Sequence, residues 1–168
     1  MVEQLARGLS AVPYLGTQLA LGLLAAARPG GAEVAELLAG RPGCVVLDPT
    51  LSALAASGIA VDVGPDALAV GFDGQVLRAV ALGDRLESVD SSRPLAKTVA
   101  AGSQLGNVLE GAITRWQARA LALLCADLVG TCTGALAGAV AHACHRQQLA
   151  AVASRPVRRR LDGLVVAH

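Results

Sequence analysis

A chain of 168 residues suffices for one domain of ordinary size with a core of its own. It is 54% hydrophobic but only 2% aromatic, so the core has to be built from Ala, Leu and Val, small side chains that need close helix packing or a partner. Fourteen basic residues against thirteen acidic ones leave a net charge of +1, which excludes a general electrostatic field for nucleic acid.

From Val2 to about Ala27 the apolar residues Leu5, Leu9, Val12, Leu15, Leu19 and Leu23 recur every three or four positions, a helical stripe interrupted near Pro13. Arg28-Pro-Gly-Gly31 stops it, and Ala32 to Ala39 forms a short second helix ended by Gly40-Arg-Pro-Gly43. The pattern then changes to short apolar runs. Cys44 to Leu47, Ile59 to Val63, Ala67 to Phe72 and Gln75 to Leu82 read as strands, the last two joined by an Asp73-Gly74 hairpin turn. Arg85 to Ala101 continues as extended chain.

From about Ser103 the helical spacing is expected to return. Leu105, Leu109, Ile113 and Trp116 start a helix that runs through Arg146, of which Arg119 to Arg146 alone spans about 40 Å. Val152 to Pro156 reads as a loop, and Val157 to Val166 opens a further helix. The order predicts an α+β fold with an N-terminal helical segment (1–43), a small antiparallel β middle module (44–101) and a C-terminal helical segment (102–168).

Cys44, Cys125, Cys132 and Cys144 form no CxxC pair, and three of them fall in one apolar helix, so reduced, buried thiols in a cytoplasmic protein are expected. His142, Cys144 and His145 are ordinary helix residues on different faces, and no metal site is predicted. The basic cluster Arg155, Arg158, Arg159 and Arg160 has no aromatic neighbour to stack a base, and no nucleic-acid partner is expected. Leu121 to Ala141 has the length of a membrane span, but Asp127 lies in its first half, where burial in lipid is costly, so a membrane location is not favoured. Gly130, Gly134 and Gly138 form a doubled GxxxG that lets helices approach closely.

Three segments, in order around the β module, resemble the acyl-CoA dehydrogenase family. Leu9-Ser-Ala-Val-Pro-Tyr-Leu15 with Leu21-Gly-Leu-Leu24 is similar to a proline-containing segment and helix of the family's N-terminal domain. Asp90-Ser-Ser-Arg-Pro-Leu-Ala96 is similar to the D-p-t-R-P-l-a segment at the exit of its β domain. Ala126-Asp-Leu-Val-Gly130 through His145-Arg-Gln-Gln148 resembles the long bundle helix that ends in R-x-Q-F-G. The resemblance implies N-terminal helices, a middle β domain and a C-terminal helical bundle segment, truncated here, since a family subunit is normally more than twice this long.

It also implies a function: a flavoprotein subunit in the α,β-dehydrogenation of an acyl-CoA thioester, an oxidoreductase reaction of lipid metabolism. FAD would be shared with a partner, either another copy in a homo-oligomer or a full-length acyl-CoA dehydrogenase subunit. Arg146 and Gln148 occupy the motif positions that face the flavin pyrophosphate, and Arg155 falls nearest a later flavin-facing Gln. The Phe-Gly that follows in the family is Leu149-Ala150 here, and the T-E-p-x-a-G-S-D flavin loop has no counterpart between Leu47 and Gly64. The catalytic Glu normally lies in the late bundle. The earlier position used by some relatives falls near Ala120, which accepts no proton, and Glu110 is the nearest carboxylate upstream. No catalytic residue is therefore assigned, and the chain is expected to be non-catalytic alone. The alternative is a cofactor-free helical interaction or membrane-associated protein dimerising through Gly130, Gly134 and Gly138.

Overall fold

Pro13 sets the first boundary. With no N–H to donate, it stands before the first turn of a helix rather than inside one, and the apolar stripe divides there into α1 (Val2–Arg7) and α2 (Tyr14–Ala27). The structure, a computed structural model, describes residues 1–8, 12–90, 92–109 and 111–145. Pro29 bars continuation of α2, and Gly30 takes a φ of 81° before α3 (Ala32–Leu38).

Five strands follow: β1 (Gly43–Leu47), β2 (Ile59–Val61), β3 (Leu68–Phe72), β4 (Val76–Leu86) and β5 (Leu95–Asn107). They close into a barrel in the order β1-β2-β5-β4-β3. Four of the neighbouring pairs are antiparallel, but β1 and β3 close the barrel in parallel, with Gly43 opposite Leu68 and Val45 opposite Val70. The expectation of a purely antiparallel module is corrected at this one seam. The turn between β3 and β4 is the expected one: Gly74 adopts a φ of 101°, and the Asp73 carboxylate accepts hydrogen bonds from the N–H groups of Gln75 and Val76.

Strand alternation sorts the barrel's side chains into two sets. Cys44, Val46, Ala60, Ala69, Val80 and Ala96, with at least one from each strand, form the inner set. A five-stranded lumen is narrow and accepts little beyond Ala, Val and Cys. Val45, Val70, Leu77 and Leu105 point outward into a second core with Ala20, Leu23 and Leu24 of α2. The scarcity of aromatic residues suits the inner layer, while Phe72 and Trp116 pack at the margin of the second core.

The sequence misplaces one boundary. Leu105 is not the start of a helix: β5 runs on to Asn107, and Leu105 is buried on the barrel's outer face. Gly102, Gly106 and Asn107 disfavour a helix there, and the continuous partner supplied by β4 decides the matter. The long helix, α4 (Ala112–His145), is 34 residues and unbroken.

Helix α4 packs on the protein along one side only. Trp116 Nε1 donates to the Leu19 carbonyl of α2 at 2.9 Å. Further along, α1 lies across Gly130 and Gly134, where an added Cβ would overlap the carbonyl oxygens of Glu3 and Arg7. Two of the three GxxxG glycines are therefore used within the chain, and only Gly138 has open space around it. A dimer built on that glycine face is incompatible with α1 in this position. The thiols also differ from expectation. Cys44 is buried in the barrel, but Cys125, Cys132 and Cys144 are exposed: Cys125 and Cys132 lie on the side of α4 turned away from α1, and Cys144 lies near the end of the helix, past Gly138.

Candidate functional site

Asp62 interrupts an apolar run, Ile59-Ala-Val-Asp-Val63, and the fold buries it to 2% exposure. A buried carboxylate is costly unless hydrogen bonds and charge compensate it. Its Oδ2 accepts from the Gly16 N–H at 2.7 Å and from Arg93 Nη1 at 3.3 Å. Gly16 permits this approach, since a Cβ there would meet the Gly43 carbonyl at 2.9 Å and Asp62 Cβ at 3.0 Å. The other oxygen, Oδ1, is buried with no hydrogen-bond partner among the described residues. Burial pushes the Asp62 carboxyl up from its ordinary range, against the lowering effects of the Gly16 N–H and of Arg93.

Arg93 reaches further. Its Nη2 donates to Asp127 Oδ1 on α4, so one guanidinium joins the end of β2, the loop before β5 and the middle of α4. The planar fork of Arg suits two carboxylates at once, which the single point charge of Lys does not match. Asp127, out of place in an apolar helix by sequence alone, thereby gains its partner inside the protein.

The junction borders a cavity of about 400 Å³ between α2, the barrel and α4. Leu15 and Leu19 of α2, Val45 and Leu47 of β1 and Trp116, Ala120 and Leu124 of α4 make it largely apolar; Ser52, Asp62, Arg93 and Gln117 are its polar members. One edge is the loop 48–54, shaped by Asp48, whose carboxylate accepts from the Ser52 N–H and from the Thr50 and Ser52 hydroxyls. These bonds hold the Asp48 carboxyl below its ordinary range.

The FAD implied by the family resemblance does not fit this cavity. Ligand sites for drug-sized molecules run from about 300 to 1,000 Å³, so 400 Å³ admits an acyl chain or one ring system but not a dinucleotide. The charge is also wrong for a pyrophosphate: the one guanidinium is already shared by two carboxylates. Arg146, Gln148 and Arg155, the residues predicted to face a flavin, lie outside the described residues, as does Glu110. Among the described residues no group of three or more metal-ligating side chains occurs.

Sequence reasoning did not single out Asp62 or Arg93 as site residues. The signals were there: a lone carboxylate in an apolar strand, a lone carboxylate in an apolar helix, and an arginine between them in sequence. No family model, curated protein or solved structure matches this chain.

Proposed function

We propose that this chain is an acyl-CoA dehydrogenase-type subunit, non-catalytic by itself, that serves the α,β-dehydrogenation of an acyl-CoA thioester in the cytoplasm together with a partner subunit holding FAD. One observation carries the reading: residues of the three segments that resemble the family meet at Arg93, on the edge of one cavity. Leu15 belongs to the first, Arg93 to the second and Asp127 to the third; Leu15 and Arg93 line the cavity, and Asp127 is bonded to Arg93.

The cavity's apolar wall suits the hydrocarbon part of a thioester, with a benefit of about 0.8 kcal/mol for each methylene removed from water. Ala120, at the position where some relatives carry the base, is part of that wall and offers no proton acceptor. Asp62 is the cavity's carboxylate, but its Oδ2 is engaged by Gly16 and Arg93 and its Oδ1 is sealed from solvent, so its role is to position Arg93. Within the described residues the chain can bind and orient an acyl group along an apolar wall. The proton acceptor and the flavin fall to the partner, and the aligned residues 146–155 are the stretch that would meet that flavin.

The test is co-expression with a full-length family subunit. The expected result is a co-purifying complex with flavin absorbance that oxidises an acyl-CoA, while the single chain shows neither. Failure of the two chains to associate, or flavin-dependent turnover by the single chain, overturns the proposal.

A further inference from the structure

Helix α4 is long and apolar enough to cross a membrane, yet only 11% of its most apolar stretch is buried. Leu121 and Leu124 belong to the cavity's rim, and beyond them one side of the helix has no partner among the described residues. Cys125, Val129, Cys132, Leu136 and Ala143 recur on that side, all exposed, with Val129 at 54% and Leu136 at 68%. Leu128 and Val140 flank them, which makes an uncharged arc of about 120° that runs for about 27 Å. Its centre lies opposite Asp127, Gly130 and Gly134, the residues that meet Arg93 and α1. We infer that the chain docks on an anionic bilayer, with α4 lying along the surface and this side in the outer part of the acyl layer.

The exposure of the helix's last turns favours lipid over a partner helix. From Ala135 to Cys144 every residue is exposed, on all sides, and His142 is the one polar member. A single helix would cover one side of this stretch and leave the others in water. A helix 10–12 Å across that sinks about 5–10 Å into the boundary of headgroups and acyl chains is surrounded on all but its upper side.

The contacts on the other side of α4 set the orientation. Helix α1 and Arg93 occupy it as far as Gly134, so the part free on all sides, from Ala135 to His145, is about 15 Å long. That is half the thickness of a bilayer's apolar core, and a spanning α4 would carry α1 and the Arg93 junction into lipid. A helix lying flat keeps both in water. The charge that speaks against lipid in the sequence, Asp127, is turned inward to Arg93.

Charge complementarity selects an anionic surface. Between Asp127 and Asp162 the sequence has no acidic residue, and it carries the basic cluster Arg158, Arg159 and Arg160. That cluster lacks the aromatic neighbours that a nucleic acid would stack on, but anionic headgroups require none. An apolar helix side and a basic stretch in the same chain are the two signals that stable attachment to a membrane surface takes. The docking is independent of the acyl-CoA reading, since it needs neither flavin nor a partner subunit.

Co-sedimentation of the full chain with vesicles tests the inference. Wild type should pellet with vesicles of phosphatidylcholine and phosphatidylglycerol, and far less with phosphatidylcholine alone. R158Q/R159Q/R160Q should weaken binding by about fivefold for each arginine removed. Leu136→Glu, at an exposed position, should abolish binding and leave the far-ultraviolet helix signal unchanged. The anionic vesicles should also shield the thiols of Cys125 and Cys132 from a membrane-impermeant maleimide. A chain that stays in solution with these vesicles overturns the inference, as does L136E binding as wild type does. So does binding that leaves both thiols reactive, because the arginines alone would then hold the chain. Thiols already shielded without vesicles would mean that protein covers this side, and would overturn it too.

Discussion

Gly134 of α4 lies against Arg7 of α1 so closely that a side chain at position 134 would occupy the space of the Arg7 carbonyl oxygen. Helix α1 is only six residues long, too short to persist without tertiary support. Its docking depends on the two glycines that let its backbone reach α4.

Replacing Gly134 with Leu should therefore release α1 while the barrel stays folded. Overpacking of this kind costs about 1–3 kcal/mol. Gly138→Leu, with nothing within 4 Å of its Cβ position, should cost little. Limited proteolysis near Arg7 checks this: accelerated cleavage in G134L alone is expected, and equal cleavage of the two variants would contradict the packing.

Arg93→Met should be among the most damaging single changes. It leaves Asp62 buried with only the Gly16 N–H as compensation and strips Asp127 of its partner. Removing one member of a buried charge network costs about 3–5 kcal/mol, and the partial exposure of Arg93 and Asp127 reduces this to about 2–3. Urea unfolding measures it. Removing Arg93 together with both carboxylates should recover most of the loss, because no unpaired charge remains buried.

The buried carboxylate sets a pH dependence of known sign. Burial raises the Asp62 pKa in the folded state, so the folded chain holds that proton more tightly than the unfolded one. Its contribution is most favourable at acid pH and erodes as pH rises from the ordinary carboxylate range through the raised value. Asp48, Asp73 and Asp90, all held low by hydrogen bonds, act in the opposite sense, and their contribution fades only as pH falls below the ordinary range. On the acid side of neutrality, above that range, wild type should gain stability relative to D62N as pH falls. Parallel unfolding profiles for the two proteins would refute the assignment.

Trp116 is the single tryptophan and lines the cavity. An acyl-CoA whose hydrocarbon tail enters should shift its fluorescence to shorter wavelength, and free coenzyme A should not. Trp116→Ala, which removes a large half-buried ring and its hydrogen bond to Leu19, should cost less than the about 3–5 kcal/mol of a fully buried ring and loosen α4 from α2. A fluorescence titration that cannot tell acyl-CoA from coenzyme A would argue against the cavity as an acyl site.

The sequence by itself determined the element types over most of the described chain, because they rest on local physics. Pro13 and Pro29 cannot sit inside a helix, Asp73-Gly74 turns where φ must be positive, and the three-to-four spacing of α2 and α4 is written in consecutive residues. The tertiary structure decided what depends on residues far apart. Leu105 has helical spacing to Leu109, yet β4 claims it for a strand, since a ladder partner outweighs a weak propensity. The parallel seam of β1 with β3 and the closure of the barrel leave no local mark. Asp62, Arg93 and Asp127 were each visible as lone charges in sequence, but the guanidinium that joins them acts over separations of 31 and 34 residues. Long-range electrostatics and close backbone approach, as at Gly134, are properties of the folded chain, and there the site and the use of the GxxxG face were settled.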